Sequence, residues 1–307
     1  MKSLTKLLSH SAFTLVGLGL ATVPAQAFVI TTNTDAAVLA GGIFDTDTEA
    51  QITTPNYIGA PNAAGTFTDG LAIFGINSGI ILSTGNADLA VNPALQGQIP
   101  PGENNGLAGD PALTALIPGG TFDATSLQFE FVPTTDTVDF RYVLASEEYP
   151  AAGGAFGDIF GFFVNGNEAQ NNIALIPGTQ TPVSVRTINA NTNSDLFRLT
   201  DGLNIGYTGF TQVLTATATG LTPNTTNTLR LVIADTGDGL GDTAVFIEAA
   251  DLGDPGNGGN GGNGGNGGGP VTSVPEPTTT LGLLALGAFG ASSALKRKQQ
   301  KKAVSQA

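Results

Sequence analysis

The sequence predicts an all-β protein, an antiparallel β-sandwich of jelly-roll-like character, on three observations. Apolar and polar residues alternate through residues 127–132 and 137–144, which is the period of a half-buried strand. The chain is rich in Thr and Val and is punctuated at short intervals by Gly, Pro and Asn, the residues of strands joined by turns. Outside two short stretches, no sustained 3.6-residue period is present.

Taken in order, residues 35–40 read as a short N-terminal helix with Thr34 or Asp35 as its cap. Residues 79–85 read as a short strand and turn, and residues 92–109, with three prolines, as a long loop. The strand of 127–132 stops at Pro133. The next, 137–144, places Val138, Phe140, Tyr142 and Leu144 on one side, and the short link through Asp136 predicts a hairpin between the two. Residues 159–164 form a nearly continuous apolar run, expected of a strand buried on both faces, and end at the turn signal Asn165-Gly166. Residues 173–176, 183–188, 211–219, 228–234 and 243–249 continue the strand pattern.

The two ends read differently. Lys2 and Lys6, an apolar run over 7–20 and Ala25-Gln26-Ala27 have the order of a secretory signal peptide over 1–27, cut after Ala27 by signal peptidase. Residues 254–273 are a Gly/Asn-rich flexible linker. After it come Pro275-Glu276-Pro277, a separate C-terminal hydrophobic helix over 278–295, the basic cluster 296–302 and a tail over 303–307. An apolar span halted by positive charge leaves the upstream chain on the outer side of the membrane. This order resembles the PEP-CTERM sorting signal, which implies processing at 274–302 by an exosortase-type protease. The expectation is export with transient inner-membrane insertion, then residence at the cell surface or in the extracellular matrix.

Between these ends, residues 28–253 are expected to be one domain. From residue 28 to 273 the chain carries 24 acids against four arginines, a formal charge of −20, with no Lys, His or Cys. Nucleophilic triads, Schiff-base chemistry, the P-loop lysine and the usual zinc, copper and iron ligand sets are thereby excluded. Such a charge repels phosphate, so nucleic acid is not an expected partner. What remains is carboxylate, hydroxyl, amide and aromatic chemistry. Carboxylate and carbonyl oxygens are the ligands of a hard cation, Ca2+ above all.

Several segments, in order, resemble the choice-of-anchor L domain, a family of secreted bacterial modules attached to varied surface anchors. They are residues 79–85 (GIILSTG), 127–133 (LQFEFVP), 146–149 (SEEY), 157–163 (GDIFGFF), 172–178 (NIALIPG) and 231–238 (LVIADTGD). The family more often has Asn where Gly157 stands, and Asp-Ser where the closing loop has Asp242-Thr243. The resemblance implies an exported module but no particular activity.

Two acidic motifs are candidate metal sites. In residues 235–242 (DTGDGLGD), Asp235, Asp238 and Asp242 are spaced by glycines that let the backbone curl and their oxygens converge on a calcium ion. Asp and Gly are also ordinary turn residues, which is the alternative reading. In residues 146–149, Glu147 and Glu148 point to opposite sides of a strand unless the strand ends there, and the following Pro150 favours an end. With Asp158 they form a second ligand set, the alternative being a solvated edge with one capping acid. Glu147 or Glu148 is expected to meet the 235–242 loop in space. Arg141 is expected to partner an acid.

No catalytic residue is expected. Two carboxylates suffice for glycoside cleavage, but the chain has no Trp and four Tyr, too few for an aromatic sugar platform. The expected function is a non-enzymatic, calcium-stabilised surface module acting in adhesion or in the exopolysaccharide matrix, with extracellular polysaccharide or surface glycans as partners. A self-associating envelope component and a carboxylate-based glycan hydrolase are the alternatives.

Overall fold

A computed structural model describes residues 28–44, 51–95, 104–150 and 156–249. The signal segment 1–27, the linker 254–273, the processing residues Ala27, Pro275, Glu276 and Pro277, and the helix expected over 278–295 lie outside these residues. Among the described residues, no helix is long and apolar enough to cross a membrane.

Among the described residues, twelve strands form two antiparallel sheets. The strands are β1 (Val29–Thr32), β2 (Gln51–Ile58), β3 (Ala64–Thr68), β4 (Gly79–Ser83), β5 (Thr121–Val132), β6 (Thr137–Ser146), β7 (Ile159–Val164), β8 (Phe197–Leu199), β9 (Gly209–Thr211), β10 (Leu214–Thr219), β11 (Asn227–Thr236) and β12 (Thr243–Glu248). The larger sheet has the order β1-β3-β4-β12-β6-β9-β8, with β10 also paired to β6. The smaller has the order β2-β5-β11-β7. The eight-and-four division makes this a sandwich larger than the eight strands of a jelly roll.

Strand alternation explains why the sheets stack. Ile80 and Leu82 of β4, Tyr142 and Leu144 of β6, and Val245 and Ile247 of β12 point inward from the larger sheet. Leu127, Phe129 and Phe131 of β5, Phe160 and Phe162 of β7, and Leu229, Leu231 and Ile233 of β11 meet them from the smaller. The Phe140 and Phe162 rings lie 4.6 Å apart across the gap. Fully burying such side chains stabilises by about 1.5–3 kcal/mol each.

The opposite sides of both sheets are also covered. Ile81, Val143 and Phe246 of the larger sheet pack with Phe28, Phe67, Phe74, Tyr207 and Phe210 in a second core. Phe246 stacks on Phe74 at 4.4 Å and meets Phe67 edge-on at 5.5 Å. Behind the smaller sheet, α3 (Pro111–Leu116) lays Leu113 against Ile159, Phe163, Val232 and Ala234. Hence β7, β11 and β12 are apolar on both faces, and the run at 159–164 has no alternation although β7 is an edge strand.

Two short helices precede α3. In α1 (Ala36–Gly41), the Asp35 carboxylate accepts from the Ala37 and Val38 amides, at 2.9 and 3.4 Å. The second, α2, spans Leu71–Phe74 and ends at Gly75 in the left-handed region.

Three strand expectations are corrected. β5 and β6 do not form a hairpin, because they belong to different sheets. Residues 133–136 are an arch that lets the two apolar sides face each other across the core, which buries both at once. Residues 173–176 and 183–188 make only isolated bridges, such as Leu175 to Pro182, and their apolar side chains plug the sandwich end without joining a ladder. The run at 211–219 is two strands, β9 and β10, separated at Gln212-Val213.

Candidate functional site

The inward alternation of the strands continues past their last apolar residues. On β4 the series Ile80, Leu82 leads to Thr84, and on β6 Tyr142, Leu144 leads to Ser146. Ahead of β7, Asp158 precedes Phe160 in the same phase. On β11 Leu231, Ile233 leads to Asp235, and β12 opens with Thr243 before Val245. All five polar residues are fully buried. One end of the core is therefore closed by a layer of hydroxyls and carboxylates.

Hydrogen bonds organise most of this layer. Asp158 accepts from the Thr236 amide at 2.9 Å and from the Thr243 hydroxyl at 2.5 Å, and the Ser146 hydroxyl lies 2.8 Å from the same Thr243 oxygen. Asp235 is the exception. It is fully buried, and neither carboxylate oxygen has a hydrogen-bond partner among the described residues. The nearby Thr84 hydroxyl faces the Thr243 carbonyl at 3.4 Å. An unsatisfied buried carboxylate is costly unless it is protonated or meets a cation.

A bulge brings a further acid to Asp235. Thr125 pairs with Ile233 and Phe122 with Asp235, so Asp123 and Ala124 together oppose Ala234. Asp123 has φ of 46° and is buried, and its carboxylate accepts from the Leu107 amide at 2.6 Å and the Asn105 amide at 2.9 Å. The Asn105 side chain in turn donates to the Thr84 carbonyl at 2.6 Å. The loop at 104–107 is thus tied onto the acidic end.

β6 ends at Ser146, and just beyond it the Glu147 amide still donates to the Asp242 carbonyl at 3.1 Å. The Glu147 carboxylate accepts from the Asp242 amide at 3.1 Å, and the Glu148 carboxylate accepts from the Asp158 amide at 3.3 Å. Both therefore lie against the 235–242 loop and its neighbours. A Cβ at Gly241 would stand 3.0 Å from Glu148 Cγ, and one at Gly85 would stand 1.7 Å from an Asp242 carboxylate oxygen. Asp238 is half-buried on the loop, its carboxylate accepting from the Leu240 amide at 3.2 Å. At Gly157, φ is 150° and a Cβ would stand 2.8 Å from Arg186 Cβ, so an Asn there would require Arg186 to move.

The electrostatics follow from burial of like charges. Burial, and then the Asp242 charge, raise the Glu147 pKa to about 8, against a hydrogen bond from the Asp242 amide. Glu148 rises to about 7, chiefly by burial; the Asp158 amide and the Arg186 charge oppose the rise and the Asp238 charge adds to it. Asp235 rises to about 9 by burial, moderated by Thr84 and reinforced by the charges of Asp242, Asp123 and Glu148. Asp158 is pushed well up by burial and by Asp235 and Glu148. The buried Tyr207 is raised by burial and by the Asp242 and Glu147 charges, opposed by the Ser83 hydroxyl. At neutral pH without a cation, this end of the core holds extra protons.

Of the six residues expected as ligands, Asp158 and Asp235 lie in the buried layer. Glu148 and Asp238 adjoin it, and Glu147 and Asp242 pair beside Tyr207. Among the described residues, no three acids are already gathered about one point as a cage for an ion. Sequence reasoning missed Asp123, Thr84 and Tyr207. Extending the strand phase beyond the apolar run points to Thr84, whereas Asp123 depends on the bulge. Arg141, expected to partner an acid, forms an ion pair with Glu248 well away from this end, and Arg230 pairs with Asp110.

Comparison with known proteins bears on the whole chain. No curated protein and no solved structure matches it. The PEP-CTERM protein-sorting motif matches residues 273–298, which marks the protein for export and surface or extracellular sorting with exosortase processing. The choice-of-anchor L domain matches residues 29–253, the whole of the sandwich described above, and the chain belongs to that family.

Proposed function

We propose that this protein is a non-enzymatic, calcium-stabilised β-sandwich that acts in adhesion or in the exopolysaccharide matrix of the cell envelope. The observation that carries the calcium reading is Asp235. It is a fully buried carboxylate without a hydrogen-bond partner among the described residues, amid the charges of Asp123, Asp242 and Glu148. Without a cation, protons relieve such a group up to about pH 9. A hard divalent cation can displace the proton and relieve the charge instead, and the surrounding donors are the oxygens that calcium takes. Glu147, Glu148, Asp158, Asp235, Asp238 and Asp242 would hold the ion, and the ion would supply charge neutralisation and a link between β6, β11 and β12. Outside the terminal signals, the absence of Lys, His and Cys supports a binding role over catalysis.

Thermal unfolding of the full-length chain tests the first half of this reading. In millimolar calcium, at about a hundredfold excess over Kd, the fold gains about 2.7 kcal/mol relative to excess chelator. For a domain of this size that is a rise in Tm of about 5–10 °C. The rise is expected to shrink in Asp238→Ala. An unchanged Tm in wild type rejects calcium stabilisation. For the second half, calcium-dependent retention on a glycan array without turnover is expected. Concentration-dependent self-assembly with no glycan bound would favour a self-associating envelope component instead.

A further inference from the structure

We propose that a cavity at the β8 edge of the larger sheet binds a single uronic-acid ring, whose carboxylate is held by Arg198. This rests on the glycan half of the reading above and names the class of sugar and the place where it binds. The cavity has a volume of about 270 Å³ and lies between α2, β8 and the link from β9 to β10. Ligand pockets start at about 300 Å³, so this one suits one ring and not a chain of rings. None of the acids of the core end lines it.

The floor of the cavity is apolar and fixed. The Phe74 and Phe210 rings meet edge-on at 5.4 Å, and both belong to the second core. Half-buried Ile73 and Val213 extend this surface. Gly75 closes the wall beside Val213, with φ of 80°, and a Cβ there would stand 3.2 Å from Val213 Cγ2. Glycine suits both the left-handed end of α2 and this close approach. A floor of this kind takes the C–H face of a pyranose ring out of water. At the mouth, Leu71 and Ala72 are exposed. The outer side of a bound ring therefore stays in water, which suits a ligand that carries hydroxyls there.

The polar wall is Arg198 with Gln212. The Gln212 backbone amide donates to the Leu196 carbonyl at 2.7 Å, and its side-chain amide donates to the Asp195 carbonyl at 2.5 Å. So held, the Gln212 side-chain oxygen accepts from the Arg198 guanidinium at 3.4 Å. A guanidinium has several N–H donors in a planar fork, and this contact uses one. Arg141 and Arg230 form ion pairs with Glu248 and Asp110, and Arg186 acts on Glu148. Arg198 forms no ion pair among the described residues. Residues 28–273 carry a formal charge of −20, so a cation without an acid partner on a cavity wall stands out as a seat for a carboxylate. A carboxylate on a ring with one apolar side and outward hydroxyls is a uronic acid.

Saturation-transfer NMR of the full-length chain with D-glucuronate, D-glucose and hexanoate decides the matter. Glucuronate should bind in the millimolar range, and about fivefold more tightly than glucose, as one open ion pair allows. Arg198→Gln should remove that difference. Leu71→Glu places a like charge at the mouth and should weaken glucuronate by a similar factor. Both side chains are exposed, so neither substitution opens the core, and circular dichroism checks that each variant is folded. Equal binding of glucuronate and glucose overturns the site, as does unchanged glucuronate binding in Arg198→Gln. Hexanoate bound as tightly as glucuronate overturns the assignment to a sugar. Retention of neutral glycans on an array, with no affinity for glucuronate, overturns this site and leaves the glycan reading standing. No affinity for any glycan rejects both.

Discussion

Asp235 shows how a single residue concentrates the conflict between folding and charge. Its backbone belongs to a strand whose other inward residues are Leu229, Leu231 and Ile233, so its carboxylate is carried into the core end by the same alternation that buries them. Without a cation and at pH 7 the group is held protonated, with its pKa raised to about 9. Asn has nearly the shape of the neutral acid. Asp235→Asn should therefore change stability in chelator by less than about 1 kcal/mol, within the range of volume-conserving swaps. It should abolish most of the calcium-induced rise in Tm, as read by calorimetry with and without calcium.

The same shifts set a pH dependence. Glu147, Glu148 and Asp235 titrate at about 8, 7 and 9 in the folded chain, above their ordinary carboxylate range. Between about pH 4 and pH 9 the folded chain holds more protons than the unfolded chain. Unfolding releases them, so stability in chelator falls as pH rises across that window, by up to about 1.4 kcal/mol per pH unit for each proton released. Below the unfolded carboxylate pKa the two states carry the same protons at these groups and the slope vanishes. Saturating calcium needs the ionised carboxylates, so the fall should flatten or reverse. Urea unfolding at pH 5, 7 and 8.5, with and without calcium, measures both slopes. Stability in chelator that rises with pH across this window would contradict the buried, protonated state of this cluster.

At the scale of the element, the site depends on how β4, β6 and β12 end. Asp242 approaches the β4 terminus so closely that a methyl group at Gly85 would fall 1.7 Å from its carboxylate. Gly85→Ala should cost about 1–3 kcal/mol through overpacking and should also displace Asp242 and reduce the calcium response. Denaturant unfolding, with and without calcium, separates the two effects. An Ala variant as stable and as calcium-responsive as wild type would show that this approach is not maintained in solution. The end of β6 at Ser146 matters for the same reason. Were the strand one residue longer, Glu147 and Glu148 would be forced to opposite faces. The Glu147 amide still donates to the Asp242 carbonyl at 3.1 Å, and the two carboxylates bond separately to the Asp242 and Asp158 amides.

Across the whole molecule, the larger sheet carries a core on each side. Phe129 is buried between the sheets, and Phe246 is buried on the far side, where it touches Phe28, Phe67, Phe74 and Tyr207. Phe246→Ala is expected to cost about 3–5 kcal/mol, as much as Phe129→Ala. A cost below about 1 kcal/mol at Phe246 would mean that the outer layer is a loose cover. Phe28, the residue after the cleavage point expected at Ala27, contributes to this layer directly.

The sequence by itself determined the all-β class, the strands at 127–132, 137–144, 159–164, 228–234 and 243–249, the C-terminal sorting motif, and a chemistry limited to oxygen ligands. These are local properties: period-two alternation and residue type need no knowledge of what lies across the core. Only the tertiary structure decided which strands pair, because alternation says that a face is buried but not against what. For that reason β5 and β6, read as a hairpin, face each other from two sheets. The bulge that turns Asp123 toward Asp235 was equally hidden, since a bulge is a mismatch of register between strands more than 100 residues apart in the chain. The acids of 147–148, 158 and 235–242 were visible as motifs. Their joining into one buried end came from the shared inward phase of β6, β7, β11 and β12, which exists only once the sheets are stacked.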